Sequence, residues 1–522
     1  MAKIKYFDCK TLKETFWPIL PKEAKKVLLL SLFLFLVCFN YSVLRCMKDT
    51  VVVTASSAAV IPYIKVWTLL PMAILFTYLY TKIASVLTRE KVFYLIVSLF
   101  LSFFALFAFV LYPMGDKSHL TSIAIKLTNI LPSGTSGFVA MIEYWSFTLF
   151  YIVAELWSNI VLSILTWGLI NEITTIKQAP RFYSVLSVAS NVAAVAAGLI
   201  SNIFVLGIFK ENWQTSQQYL VLIIILSAII AMLIYRLLSK DIEKETATLE
   251  EPKKAKTKIS FSDACYEIAK SKHLRYLSII VVAYFFVINT VEVIWKEQVR
   301  LLYPKPQDFN YYMNNITACI GLISTFLGFF VSVLIKKLGW SKTALLTPII
   351  MLSTSILFFV FIVFNDYLNA ITTLVGISPL AVAVFLGSMQ NCLSKGAKYS
   401  VFDSTKEMAF IPLSRESKLK GKAVIDGIFS RFGKSSASLS MQILILFQGS
   451  LLASTPYISG FMMIVTVFWI YASKSLGKII DPVIKNEIEE IKVQEDNHYP
   501  TSNLELNLDL ELDNKISLEA TT

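Results

Sequence analysis

Long apolar stretches alternate with short polar connectors along almost the whole chain. The first stretch opens with VLLLSLFLFLVCF at Val27 and continues with few interruptions to residue 53. About 20 apolar residues are enough to cross a hydrocarbon core of about 30 Å as a helix. The pattern therefore predicts twelve transmembrane helices, at residues 27–53, 58–83, 92–113, 145–170, 183–207, 218–238, 275–295, 311–335, 343–365, 369–393, 423–448 and 456–473.

The longest charged connector divides the predicted helices into two sets of six. It contains DIEKETATLEEPKKAKTKIS and separates the sixth helix from the seventh. FNYSVLR in the first helix and INTVEVIW in the seventh indicate a weak repeat. Six plus six helices is the arrangement of major-facilitator transporters, whose halves rock about a site near the bilayer midplane. We therefore predict an all-α membrane protein with a cytoplasmic segment 1–26, an N-terminal half 27–238, a connector 239–274, a C-terminal half 275–473 and a polar, disordered tail 474–522.

Composition supports a chain surrounded by a lipid bilayer. Hydrophobic residues make up 56% and charged residues 16%, whereas soluble domains have about 45–50% and about 25%. Most of the 48 Lys and Arg residues fall in connectors predicted to be cytoplasmic, which places both termini on the cytoplasmic side. The basic excess thus does not indicate a nucleic-acid partner. We expect a monomer.

Ionisable side chains inside the predicted helices are the main candidates for function. Such residues are costly in a membrane and usually face a partner or a water-filled cavity. They are Arg45, Lys48 and Asp49 in the first helix, Glu155 in the fourth, Glu292 in the seventh, and Arg431 and Lys434 in the eleventh. If they face one cavity, the cations suit a multiply charged anion, and the carboxylates keep the empty cavity close to neutral.

Each of these residues also has a purely structural interpretation. Side chains near the end of a helix could lie at a membrane interface, which applies to Arg45, Lys48, Glu292 and Arg431. Deeper side chains could form ion pairs between helices, which applies to Glu155 and Lys434. Lys65, beside Trp67, is expected to be an interfacial or packing residue.

Two tryptophans and two asparagines accompany the charges. Trp157 and Trp295 closely follow carboxylates and could stack on a planar base, a contact worth roughly 1–3 kcal/mol. Ordinary packing within the bundle is the alternative for both. Asn40 and Asn289 enter the polar patches at similar places in the two halves of the weak repeat.

Motifs typical of other functions are incomplete. FGKSS at residues 432–436 contains the Gly-Lys-Ser of a P-loop but lacks the earlier glycine and the preceding strand, which argues against an ATPase. PKEAKK at 21–26 matches an element of mitochondrial carriers only once, without a threefold repeat. The six cysteines and three histidines are scattered and indicate neither a disulfide framework nor a metal site. We expect no enzymatic activity, no metal and no cofactor.

Six stretches carry a family resemblance. They are NYSVLRCMKDTVVVT, FYIVAELWSNIVLSILTWGLINEIT, RFYSVLSVASN, NTVEVIWKEQV, LSKGAKYSVFDSTKEMAFIPL and KGKAVIDGIFSRFGKSSASL. In these stretches the chain resembles the nucleotide transporters (ATP/ADP translocases) of obligate intracellular bacteria and plastids. The resemblance implies nucleotide transport without hydrolysis, with functional charges at Lys48, Glu155, Glu292 and Lys434.

The function that we expect from this resemblance is exchange of ATP for ADP by alternating access. Ser158 after AELW and the Ser-Ser-Ala after Lys434 depart from the pattern common among exchangers, so proton-coupled import of GTP, UTP or CTP is the alternative. An anion channel is the alternative from another class, but channels favour rings of repeated polar residues. The N-terminus resembles neither a signal peptide nor a transit peptide, so we expect a bacterial inner membrane.

Overall fold

The computed structural model describes residues 19–175, 178–208, 212–246, 266, 268–374 and 376–497. Over these ranges the chain forms helices and turns and contains no β-strand. The predicted all-α fold class is therefore confirmed.

Ten helices in the described part are long and apolar enough to cross a membrane. We label them Pro21–Ala55 (α1), Val60–Val86 (α2), Arg89–Leu111 (α3), Trp145–Ile173 (α4), Arg181–Ile208 (α5), Trp213–Ser239 (α6), Lys272–Leu302 (α7), Pro306–Val331 (α8), Lys337–Val363 (α9) and Leu451–Pro482 (α12). Two further helices, Pro379–Ala397 (α10) and Ser430–Gln448 (α11), lie where the tenth and eleventh segments were predicted. Both are rich in polar residues, so the count of twelve spans remains a prediction.

Shorter helices connect the main ones. At one end of the bundle these are Thr121–Ile130, Ser136–Glu143 and Asn365–Leu374, and at the other end Asp403–Ala409 and Arg415–Val424. The chain kinks in the first turn of α9, where Gly339 adopts φ 79°, which other residues rarely adopt. The backbone N–H of Ser341 donates to Asp481 Oδ1 at 3.0 Å and ties this turn to α12.

The last helix is longer than the predicted segment. Helical structure continues from Leu451 to Asn497, where a disordered tail was predicted from residue 474. Isoleucines at 480, 484, 488 and 491 have helical spacing. The prediction of a disordered tail did not use this spacing. Residues 498–522 lie outside the described residues, as do residues 1–18 and, within the predicted connector 239–274, residues 247–265 and 267.

Polar contacts join the two halves at one end of the bundle. This end holds the turn at residues 56–59 and was predicted to be external; we call it the outer end. Here the N–H of Ala58 donates to Glu297 Oε2 at 2.8 Å. Trp67 Nε1 donates to Gln442 Oε1 at 3.0 Å, and Gln442 Nε2 donates to the carbonyl of Pro62 at 2.9 Å.

At the opposite, inner end, ion pairs join residues of the same half. Arg181 Nη1 lies 2.9 Å from Glu23 Oε2 in the N-terminal half. Lys406 Nζ lies 2.7 Å from Asp426 Oδ1 in the C-terminal half. The polar contacts thus hold the halves together at the outer end and stabilise each half separately at the inner end.

Candidate functional site

A cluster of nine charged side chains lies between the two halves. Its cations are Arg45, Lys48, Lys65, Lys296, Lys395 and Lys434, and its carboxylates are Asp49, Glu155 and Glu292. They come from α1, α2, α4, α7, α10 and α11, so both halves contribute. With all groups ionised, cations outnumber carboxylates by three.

Lys48 is the centre of the charges in the N-terminal half. Its Nζ lies 3.0 Å from Asp49 Oδ1 and 3.2 Å from Glu155 Oε2. The ammonium also lies 3.8 Å from the centroid of the Tyr151 ring, a favourable cation–π distance. Because α1 and α4 supply these groups, Lys48 is fixed by partners within its own half.

Glu292 is the centre of the charges in the C-terminal half. Its Oε1 lies 3.1 Å from Lys296, 3.0 Å from Lys395 and 3.4 Å from Arg45. The two lysines belong to the same half as Glu292, whereas Arg45 belongs to the other half. A single carboxylate oxygen therefore holds three cations and joins the halves.

Asn289, one turn before Glu292 on α7, links the remaining two lysines. Its Oδ1 accepts a hydrogen bond from Lys65 Nζ, and its Nδ2 donates to the backbone carbonyl of Lys434 at 3.2 Å and to Ser438 Oγ at 3.2 Å. The ammonium of Lys434 lies 5.1 Å from the centroid of the Phe285 ring and is close enough to Glu155 to interact with its charge. Among the described residues neither Lys434 nor Lys65 has a carboxylate in direct contact, so their charges are less neutralised than those of the other cations in the cluster.

Solvent exposure shows which way the cluster opens. Along α1, the exposed fraction of the side chain falls from 15% at Arg45 to 0% at Asp49, and along α7 from 16% at Glu292 to 3% at Lys296. Both helices run towards the outer end, so exposure decreases in that direction. Lys434, nearer the inner end, is exposed. The cluster thus lies in a cavity that is sealed at the outer end and open towards the inner end.

Widened helical turns adjoin most of the cluster. Segments of π-helix cover Ile64–Leu69, Trp157–Thr166, Lys398–Phe402 and Ile425–Phe429. The first contains Lys65, and the others lie within a few residues of Glu155, Lys395 and Lys434. Such insertions in α-helices are frequent at functional sites, and here they change the direction in which the charged side chains project.

The structure brings together most of the residues selected from the sequence. Lys48, Glu155, Glu292, Arg45, Asp49 and Lys434 are in the cluster, and Asn289 adjoins it. Arg431 is exposed one turn closer to the inner end. Asn40 lies elsewhere, because it bonds to Ser227 and to the carbonyl of Ile224 on α6. The roles of these residues remain predictions.

Both tryptophans make packing contacts. Trp157 is buried, its N–H donates to the carbonyl of Val37 at 3.3 Å, and its ring meets Phe100 edge to face. Trp295 is buried, and its N–H donates to Ser388 Oγ at 3.0 Å. Packing within the bundle, the alternative considered for both, accounts for these contacts.

Three lysines of the cluster were not selected from the sequence. Lys65 was assigned to packing, whereas it bonds to Asn289 in the site. Lys296 and Lys395 were assigned to connectors, because the predicted segments ended at 295 and 393. In the structure α7 reaches Leu302 and α10 reaches Ala397. Glu292 and Lys296 are four residues apart, which places them on one face of a helix. This spacing was the signal in the sequence that could have identified Lys296.

Two helical halves with a buried charge cluster between them, closed at one end, define a multi-pass membrane protein with a charged site inside the bundle. A bacterial homologue of the iron transporter ferroportin, in an inward-facing state, has a similar structure, with a TM-score of 0.53 over 87% of this chain and 100% of that chain. The sequence identity is 14%, so this likeness concerns the fold alone.

The family is identified by sequence. The family model described as TLC ATP/ADP transporter matches residues 3–479, and the chain belongs to this family. It is 37% identical to ADP,ATP carrier protein 1 of Chlamydia pneumoniae, over 94% of this chain and 98% of that protein. It is 38% identical to the plastidic ATP/ADP-transporter of Solanum tuberosum, over 87% of this chain and 72% of that protein. The resemblance inferred from the motifs is confirmed.

Proposed function

We propose that the protein exchanges ATP for ADP across a membrane by alternating access, without hydrolysis. The observation that carries this proposal is the excess of three cations in a cavity that is sealed at one end. Such a cavity suits a compact group with several negative charges. The phosphates of a nucleotide form such a group. The names of the two relatives, ADP,ATP carrier protein and plastidic ATP/ADP-transporter, support the same substrates.

The phosphates are proposed to bind at Lys48, Arg45 and Lys434. Lys434 is exposed and has no carboxylate in direct contact among the described residues, so it is suited to the first contact. Arg45 and Lys48 then bind the phosphates deeper in the cavity. Contacts between ammonium or guanidinium groups and phosphate are charge-assisted and strengthen where water is partly excluded.

The carboxylates are proposed to hold the cations while the cavity is empty. Glu155 pairs with Lys48, and Glu292 pairs with Arg45. A phosphate that replaces either carboxylate exchanges one partner of a buried cation for another, so no charge is left unpaired at either stage. The contact between Glu292 and Arg45 joins the halves, which would couple occupancy to their relative movement.

The surroundings of the protein are also part of the proposal. We place it as a monomer in a bacterial inner membrane, with both termini on the cytoplasmic side. The distribution of Lys and Arg among the connectors supports this orientation, and the nearly complete coverage of the Chlamydia relative supports a bacterial setting. The cavity then opens to the cytoplasm.

Exchange predicts that the two nucleotides move together. Purified protein is reconstituted in vesicles that contain labelled ADP, and ATP with a second label is added outside. We expect about one ADP to leave for each ATP that enters, and uptake into empty vesicles to stay at the background level. No pH gradient should be needed, since the exchange is driven by the nucleotide gradients. ATP accumulation in empty vesicles under an imposed proton gradient would contradict exchange and support proton-coupled import.

Two cations on α11 provide a matched comparison. Lys434 is exposed in the structure, but its proposed contact with bound phosphate is desolvated. Lys434→Gln should therefore weaken ADP binding by at least about tenfold, since removing a charged partner from a desolvated contact costs about 2–5 kcal/mol. Arg431→Gln, one turn closer to the inner end, should change affinity by less than about threefold, because an exposed charge contributes at most about 1 kcal/mol. Isothermal calorimetry on both proteins gives the comparison. Equal losses in the two variants would mean that α11 attracts the nucleotide only by its overall charge.

A further inference from the structure

The ion pair between Asp49 and Lys296 joins the two halves at the sealed side of the cluster. Lys296 Nζ lies 2.8 Å from Asp49 Oδ2, as an ion pair rather than an aligned hydrogen bond. Asp49 belongs to α1 and Lys296 to α7. Both side chains are buried, and neither is among the residues proposed to bind the phosphates.

Each member of the pair has a second partner in its own half. Asp49 Oδ1 accepts a hydrogen bond from Lys48 Nζ at 3.0 Å, and Lys296 Nζ lies 3.1 Å from Glu292 Oε1. The charges therefore alternate in sign from Lys48 to Asp49, Lys296 and Glu292. If the halves separate between Asp49 and Lys296, Asp49 keeps Lys48 and Lys296 keeps Glu292. Separation then leaves neither charge unpaired, which avoids the main penalty of breaking a buried ion pair.

The neighbouring residue on α7 makes a second contact between the halves. Glu297 accepts the N–H of Ala58, at the turn that leads into α2, and is held by Arg300 Nη2 at 2.6 Å. This contact lies on the outer side of the Asp49–Lys296 pair. Two consecutive residues of α7 thus bind the N-terminal half near the outer end. In an outward-facing state the halves must separate at this end.

We propose that Asp49 and Lys296 form a reversible latch that keeps the outer end closed, with Lys48 and Glu292 as the partners that retain them when the latch opens. The proposal rests on alternating access, which is part of the proposed function, but not on the identity of the substrate. Asp49 and Lys296 are positioning residues in this account. They set the balance between inward-facing and outward-facing states and do not contact the nucleotide.

A buried position beside the latch can report its opening. Thr50 follows Asp49, is buried, and accepts a hydrogen bond from Asn310 Nδ2 on α8 at 2.9 Å, again between the halves. In a full-length protein with its six cysteines replaced, Thr50→Cys introduces a single thiol at this position. The rate of its reaction with a maleimide is measured on the purified protein in detergent, without nucleotide. Neither the membrane orientation nor the substrate then enters the result.

Removal of either member of the latch should speed this reaction. We expect Asp49→Asn and Lys296→Gln to increase the rate by about tenfold or more, because a ratio of this size needs only about 1.4 kcal/mol of differential stability. Both variants should fold, since Lys48 keeps Glu155 after the first change and Asp49 keeps Lys48 after the second. The double variant should react no faster than the faster single variant, because the two changes remove the same contact.

Lys395→Gln is the matched control. It also removes a lysine from Glu292, but within one half, so the reaction rate should stay at that of the parent. Lys296→Arg retains the charge and should also react at the parent rate. The latch is refuted if monodisperse Asp49→Asn or Lys296→Gln protein reacts at the parent rate, or if Lys395→Gln accelerates the reaction equally. Loss of ADP–ATP exchange in the parent would refute the proposed function and leave the latch result unaffected.

Discussion

Lys48→Gln is expected to abolish exchange and to weaken binding of ADP and ATP, but not of adenosine. Lys48 is buried between Asp49, Glu155 and Tyr151, where its charge is poorly replaced by water. Loss of one partner from a buried charged contact costs about 2–5 kcal/mol, which corresponds to at least about 30-fold in affinity. Equilibrium binding of ATP, ADP and adenosine to the purified variant measures the effect.

Two controls separate the role of Lys48 in binding from a role in folding. Lys48→Arg keeps a cation at the site and should retain part of the affinity for ADP. Lys82→Gln removes an exposed lysine near the inner end of α2 and should bind as the parent does. If Lys48→Gln lost affinity for adenosine as much as for ATP, Lys48 would act on the fold and not on the phosphates.

Glu292→Gln is expected to have the largest effect on transport relative to binding. The change takes a carboxylate from three cations at once: Arg45, Lys296 and Lys395. The extra positive charge should leave ADP binding equal or tighter, while exchange falls by at least about tenfold, since the contact between the halves is lost and phosphate release becomes harder. Vesicle exchange and equilibrium binding on the same protein preparation give the two values.

Glu155→Gln provides the graded comparison. Among the described residues Glu155 is in direct contact with one cation, Lys48, and Lys48 keeps Asp49 as a second partner. Its exchange rate should therefore lie between those of Glu292→Gln and the parent. Parental exchange in Glu292→Gln at every pH between about 5.5 and 8, a range in which carboxylates of ordinary pKa are ionised, would exclude this role for Glu292.

The sequence predicted the helices well because membrane segments carry a strong local signal. Apolar length alone located α1 to α9 and α12. The apolar signal is weaker in α10, which contains Gln390, Asn391 and Lys395, and the ends of helices are located least well. Lys296 and Lys395 were missed for this reason, because each lies just beyond the predicted end of its helix.

The predicted site depended on a different kind of information. Charges in an apolar segment are conspicuous, so Lys48, Glu155 and Glu292 could be selected one at a time. Helix packing determines which charges pair. Asp49 and Lys296 are 247 positions apart in the sequence, and nothing in their spacing indicates that they are in contact. Trp157 is the opposite case. Its position close after Glu155 suggested contact with a ligand, whereas in the structure its ring packs against Phe100.

A structure of the protein with bound ADP tests the central claim most directly. The account predicts that the phosphates lie between the halves, with phosphate oxygens within about 3 Å of Lys48 or Arg45, as charge-assisted hydrogen bonds require. The distances from Lys48 to Glu155 and from Arg45 to Glu292, which are 3.2 and 3.4 Å in this structure, should lengthen. ADP bound outside the cavity, or bound within it while both ion pairs remain intact, would contradict the account.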